Sequence, residues 1–176
     1  MGQILPAPKV KLIAGLLWGQ AGSVEAVKTR LSEAFGPMDM QGDPWEFSYT
    51  QYYQDELGAT VQRNFVAFEK LVPARELAAI KIRTNAIEEE FAVAGKRSVN
   101  VDPGYVDSSK MVLATTKDGN YRVYMRDGIL GQSTLYFEKN SYHAWPWTYP
   151  DYRDERTIAF FNAVRKKFHD QRRQSP

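Results

Sequence analysis

Two rhythms of apolar and polar residues alternate along the chain, and each change of rhythm marks an element. Residues 10–17 (VKLIAGLL) are almost continuously apolar, the pattern of a strand buried on both faces. Gly19 to Ser23 reads as the turn that ends it, with Ser23 as N-cap of a helix. Val24, Val27, Leu31 and Phe35 recur at helical spacing, and Gly36-Pro37 stops them. The stretch from Met38 to Gly58 is polar and aromatic with Gly and Pro punctuation, so it reads as a long loop holding a short strand near Trp45 to Ser48. Residues 59–71 (ATVQRNFVAFEKL) form a further strand. Pro73 opens a helix that runs to about Ala94, with Leu77, Ile80, Thr84, Ile87 and Phe91 inward. Its other side, carrying Lys81, Arg83, Asn85, Glu88 and Glu89, is expected to face water. Beyond Gly95 the chain becomes extended. Asp102-Pro103-Gly104-Tyr105 has Pro and Gly where a type II turn requires them. Met111–Thr116 and Tyr121–Arg126 read as a hairpin closed by Asp118-Gly119 in a type I′ turn, residues 133–139 (STLYFEK) as a third strand, and about Arg153 to His169 as a last helix burying Ile158, Phe161, Val164 and Phe168. Asp151 stands where a cap for that helix is needed.

Two β–α units, a meander and a closing helix predict an α+β fold. The expected sheet is mixed and mostly antiparallel, a ferredoxin-like core with an added β-meander, with helices packed on one face. The whole of 1–176 reads as one domain with short flexible termini, about 1–8 and 171–176. The hairpin register then sorts the meander into two faces. Val112, Ala114, Thr116, Tyr121, Val123 and Met125 point to the core. Leu113, Thr115, Lys117, Arg122, Tyr124 and Arg126 point the other way, joined by Thr134, Tyr136 and Glu138. That second face gathers cations, a hydroxyl and a ring, which suits an anion with a flat group attached. It also suits a plain wetted sheet face.

Composition narrows the chemistry. The net charge is only +2, so no whole-molecule field gathers nucleic acid and any basic site is local. The basic C-terminal run VRKKFHDQRRQSP fits the last turns of a helix, whose dipole it complements. The chain has no cysteine, which excludes disulfides, thiolate nucleophiles and Cys-based metal sites. The apolar opening is too short for a membrane span and reads as a strand and not a signal peptide, so a cytoplasmic location is expected. No P-loop, G-x-G-x-x-G or G-x-S-x-G string occurs. The two histidines, His143 and His169, form no ligand pair, and no metal site is expected. The carboxylates Asp102, Asp107, Asp118 and Asp127 lie at turn signals, where one or two of them together with a substrate phosphate could hold Mg²⁺.

Several strings occur together and in order: FEKLV, VNVDPGY, MVLATTKD, YRVY and PWTYPDYR. Through them nearly the whole chain resembles the small prokaryotic family labelled domain of unknown function 4416 (DUF4416). That resemblance brings no activity, cofactor or catalytic residue with it. The functional reading therefore rests on the residues. An anionic small molecule, a nucleotide or phosphorylated metabolite, would be held by Lys117, Arg122 and Arg126, with Thr115 adding a hydroxyl, Tyr124 stacking and Tyr105 at the rim. Asp102 or Lys110 is the nearest acid or base. Two other readings compete: the same face stacks bases of single-stranded RNA, or the aromatic loop at Trp45 to Tyr53 contacts a protein partner.

Overall fold

The structure is a computed structural model that describes residues 2–3, 6–19 and 24–174. The turn residues 20–22 and the proposed cap Ser23 lie outside them. The described elements run β1 (Lys9–Trp18), α1 (Val24–Phe35), β2 (Met38–Gln41), β3 (Trp45–Glu46), α2 (Gln54–Leu57), β4 (Gln62–Pro73), α3 (Leu77–Glu90), β5 (Val99–Val106), β6 (Lys110–Thr115), β7 (Val123–Arg126), β8 (Ile129–Glu138), β9 (Ser141–Ala144), α4 (Pro150–Arg153) and α5 (Glu155–Gln174). A 3₁₀ turn, Ala74–Glu76, leads into α3.

The fold is α+β, built on one sheet in the order β2-β4-β1-β5-β6-β8-β7, with β3 on β4 and β9 on β8. Every described ladder is antiparallel. The sub-order β2-β4-β1-β5, with α1 and α3 as its two crossovers, is the ferredoxin-like arrangement. β6, β8, β7 and β9 extend it.

Strand parity divides the core. Leu12, Ala14, Leu16, Val66, Phe68, Val99 and Val101 face α1 and α3 and meet Val27, Leu31, Ile80 and Ile87. Ile13, Phe65, Ala67, Met111, Leu113 and Leu135 face the other way and meet Phe161 and Val164 of α5. Helices therefore cover both faces, where the sequence pattern places them on one. The cause is the apolar stripe Phe161, Val164 and Phe168 of α5, which needs a sheet face to be buried. Lys11, inside the apolar run of β1, is fully buried on the α5 side and donates to Asp39 Oδ2 at 2.6 Å and Gln171 Oε1 at 2.9 Å. Burial holds its ammonium pKa below the ordinary lysine value although Asp39 opposes the shift.

Three local readings change. First, β6 pairs with β5 and β8 and not with β7, so Thr115 lies opposite Leu130 and Leu113 opposite Gln132. A type I′ turn needs positive φ at both central residues. Among the described residues Asp118 and Gly119 do not have it, whereas Asp127 (54°) and Gly128 (76°) do and close the β7–β8 hairpin. Second, Asp102 to Tyr105 lie inside β5, paired with Gly15 to Leu12 of β1. Gly104 is there for close packing: a Cβ on it would lie 2.4 Å from the Val112 carbonyl oxygen. Pro103 shares its outward direction with Val101 and Tyr105, and the ladder to β6 ends at Gly104↔Leu113, so its missing N–H falls where no strand partner stands. Third, Lys81 and Glu88 on the supposedly wet side of α3 are 6% and 5% exposed.

These backbone roles separate three glycines. Gly104→Ala is expected to destabilise by roughly 1–3 kcal/mol through overpacking, and Gly128→Ala by about 1 kcal/mol through its left-handed backbone. Gly119→Ala, whose added methyl has Arg122 side-chain atoms as its three nearest neighbours and the nearest at 3.5 Å, is expected to stay within about 0.5 kcal/mol of wild type. Urea unfolding midpoints of the three variants check the order.

Candidate functional site

A cleft of about 780 Å³ opens where the sheet splits. β6 leaves β5 beyond Gly104, so the first half of β5 has an uncovered edge on that side. Backbone N–H and C=O groups buried without partners are costly, and α3 supplies partners in place of a strand. Glu88 Oε1 accepts from the Val101 N–H at 2.7 Å, and Lys81 Nζ donates to the Val101 carbonyl at 2.9 Å. The spacing of Lys81, Thr84 and Glu88 puts all three on one helical stripe facing that edge. Burial raises the Glu88 carboxyl pKa, partly opposed by Lys81.

Arg63 of β4 forms the floor. Its side chain is 1% exposed, with Nη2 2.9 Å from Asp151 Oδ2 and Nη1 3.8 Å from Asp102 Oδ2. The guanidinium lies over the Phe65 ring at 4.4 Å and the Tyr152 ring at 5.1 Å. It occupies space that Gly15 leaves free: a Cβ there would lie 2.9 Å from Arg63 Nη2 and 3.0 Å from the Tyr152 hydroxyl. Burial works against the Arg63 charge, but Tyr152, Asp151 and Asp102 outweigh it and hold the pKa above the ordinary arginine value. The Asp151 carboxyl is raised, by burial first and with Arg63 opposing. Asp151 therefore belongs to the floor. It does not cap the last helix: Asp154 Oδ1 accepts the Arg156 N–H at 3.0 Å in the first turn of α5.

A chain of side chains leads to Asp102. Glu56 accepts from Arg97, Arg97 Nη1 donates to Asn100 Oδ1 at 2.7 Å, and Asn100 Nδ2 donates to Asp102 Oδ2 at 2.8 Å. Arg97 Nη1 also reaches Glu88 Oε2 at 3.1 Å. Lys81 Nζ stands 3.9 Å from Asp102 Oδ1.

The rim is aromatic and polar. Lys117 Nζ donates to the Tyr52 hydroxyl at 2.8 Å across the mouth, and the Tyr49 hydroxyl donates to Asp154 Oδ2 at 2.7 Å. Arg122 stands behind this rim with its donors occupied: Nε to Gln132 Oε1 at 3.0 Å, Nη1 to the Lys117 and Asp118 carbonyls at 2.7 and 3.1 Å, and Nη2 to the Tyr149 hydroxyl at 2.6 Å. Gln132, 1% exposed, lines the cleft and keeps Nε2 without an acceptor.

The residues singled out from the sequence are thus dispersed. Thr115, Lys117 and Asp102 line the cleft, and Arg122 braces it. Tyr105 is on the opposite face, packed with Leu77 and Val112. Tyr124 is 64% exposed on the outer strand β7 and the Arg126 side chain 52% exposed beside it, because β8 intervenes between β6 and β7. Lys110 lies beyond the cleft in an ion pair with Asp107 at 2.7 Å. The basic and aromatic face expected from the hairpin is not assembled. Arg63, Lys81, Glu88, Asn100, Gln132 and Asp151 were missed, although an arginine inside an apolar strand and a Lys-Thr-Glu stripe on a helix are visible signals. Among the described residues no three His, Asp or Glu side chains group as metal ligands, and no helix is long and apolar enough to cross a membrane.

Comparison with family models matches residues 8–168 to the one described as Domain of unknown function (DUF4416). The chain belongs to the DUF4416 family. No curated protein and no solved structure matches it. All the cleft residues, from Leu17 to Tyr152, fall inside the matched span, so the cleft is part of the DUF4416 unit itself.

Removing Arg63 leaves Asp151 buried and unpaired, and Arg63→Ala is expected to cost roughly 3–5 kcal/mol in denaturant unfolding. Lys110 has a structural partner with its own pH signature. Burial opposes ionisation of Asp107, but the Lys110 ammonium and the Ser109 and Lys110 N–H groups outweigh it and hold the carboxyl below its ordinary 3.8. A depressed carboxyl stabilises above its unfolded value and loses that contribution as pH falls through the folded one. The melting-temperature gap between wild type and Asp107→Asn is therefore expected to be full at neutral pH and to close below about 3.8.

Proposed function

We propose that the cleft binds an anionic small molecule, of the class of nucleotides and phosphorylated metabolites. The observation that carries this reading is the set of cationic hydrogen-bond donors left unused after internal pairing. Arg97 spends four of its five N–H donors on Glu56, Glu88 and Asn100. Arg63 keeps Nε and Nη1 without hydrogen-bond acceptors, Lys81 uses one donor on a backbone carbonyl, and Lys117 uses one on a tyrosine hydroxyl. Arg63 and Lys81 thus flank Asp102 at 3.8 and 3.9 Å, and Lys117 stands exposed at the mouth, where it is the cation placed to meet an anion; Glu89 also lines the cleft.

A volume of about 780 Å³ suits a small ligand and not a macromolecular surface. In this arrangement Lys117 contacts the anion directly and Arg122 adds charge from behind. The Thr115 hydroxyl accepts the Lys117 N–H at 3.1 Å and keeps its own proton to donate. Tyr49, Tyr52 and Tyr53 line the mouth and take the stacking part that the sequence reading gave to Tyr124.

The test is a thermal-shift and calorimetric screen of nucleotides, sugar phosphates, inorganic phosphate and short RNA, with and without Mg²⁺. A ligand at a hundred times its Kd should stabilise by about 2.7 kcal/mol. Lys117→Ala should weaken binding about tenfold while unfolding like wild type, and Tyr124→Ala should leave affinity unchanged. Absence of binding by every anion in the panel would refute the reading. A preference for RNA with a steep salt dependence would replace it by a nucleic-acid function.

A further inference from the structure

Asp102 is the carboxylate of the floor that the cleft reaches: its side chain is 29% exposed, against 7% for Asp151 and 5% for Glu88. Its orientation is set from outside. Arg97 is a donor only, so the Asn100 atom it contacts at 2.7 Å must be the carbonyl oxygen, and the Asn100 amino group is thereby turned onto Asp102 Oδ2 at 2.8 Å. That oxygen is occupied. The other, Oδ1, has Lys81 Nζ at 3.9 Å, beyond hydrogen-bond distance. The cleft therefore holds a carboxylate oxygen aimed by the Glu56–Arg97–Asn100 chain and reached, among the described residues, by no protein donor.

A ligand completes this site only by bringing a donor. A cationic amine would meet Lys81 and Arg63 on either side of Asp102 and be repelled, whereas a neutral hydroxyl would not. An anionic group would be repelled by Asp102 itself and belongs at the other end, on Lys117 and Thr115. We infer that Asp102 Oδ1 is the acceptor for a ligand hydroxyl, and that the substrate class is a hydroxylated anion such as a phosphorylated sugar or nucleoside. The inference rests on the anion-binding reading above and narrows it. Asp102 acts here by direct contact, and Asn100 is a positioning residue.

Calorimetric titration with ribose 5-phosphate and with phenyl phosphate separates the two claims, since both carry the phosphate and only the first carries hydroxyls. Wild type is expected to prefer ribose 5-phosphate by roughly tenfold or more. Asp102→Asn should reduce that preference several-fold, because the Asn100 amino group would hold the new amide oxygen and turn its NH₂ to the cleft, replacing a charge-assisted acceptor by a neutral donor that a hydroxyl meets more weakly. Asn100→Ala, which keeps the carboxylate and frees its orientation, should reduce the preference partway, and it carries the test if Asp102→Asn does not fold. Equal affinity of wild type for the two esters, or an equal loss for both in the folded variants, overturns the hydroxyl assignment and leaves anion binding standing. Binding of only hydroxyl-free anions from the wider panel overturns it too. If wild type binds no anion at all, the underlying reading fails instead.

Discussion

The buried guanidinium of Arg63 constrains the arrangement of every element around the cleft. Taking an unpaired charge out of water costs several kcal/mol even after relaxation, so its side chain, 1% exposed, requires carboxylates in place around it. Asp151 comes from α4 and Asp102 from β5, which ties two segments distant in sequence to β4. The same demand explains Gly15, where any side chain would collide with the guanidinium or with Tyr152. The raised pKa of the Asp151 carboxyl shows the cost from the other side: its burial is only partly offset by Arg63.

The second constraint is the divergence of β5 from β6. A strand edge turned inward has to find donors and acceptors, and here Lys81 and Glu88 of α3 supply them to Val101. Both side chains are thereby fixed in the wall of the cleft. Edge satisfaction and cleft construction are one event in this fold: the gap that leaves Val101 without a β6 partner is also the volume of the cleft. The polar chain from Glu56 through Arg97 and Asn100 to Asp102 crosses the same gap and links α2 to the floor.

The fold was largely legible in the sequence because burial imposes periodicity. The apolar run of β1, the helical stripe of α1, the inner stripe Leu77, Ile80, Thr84 and Ile87 of α3 and the stripe of α5 recur at the spacings their partners require. The errors came from residues with two local uses. Asp118-Gly119 and Asp127-Gly128 are the same dipeptide, and only the second has positive φ at both residues. Pro103-Gly104 has the chemistry of a turn and serves as a flat segment where strands approach closely. Of the residues that line or brace the cleft, Asp102, Thr115, Lys117 and Arg122 were singled out from the sequence, while Arg63, Lys81, Glu88, Asn100, Gln132 and Asp151 were not.

The sequence by itself determined the α+β class, the ferredoxin-like core, the helical crossovers and the family, since all of these follow from local periodicity or from strings read in order. Only the tertiary structure decided which polar residues meet. Whether a lysine on a helix is wet or buried depends on what lies opposite it, and Lys81 is buried because β6 turns away from β5 more than twenty residues further on. Strand pairing in the meander was undecidable locally for the same reason. Two hairpin signals of the same dipeptide compete, and the choice is made by the side chains that β8 buries, Leu135 between β6 and β9 against α5 and Ile129 beside β7 against α3.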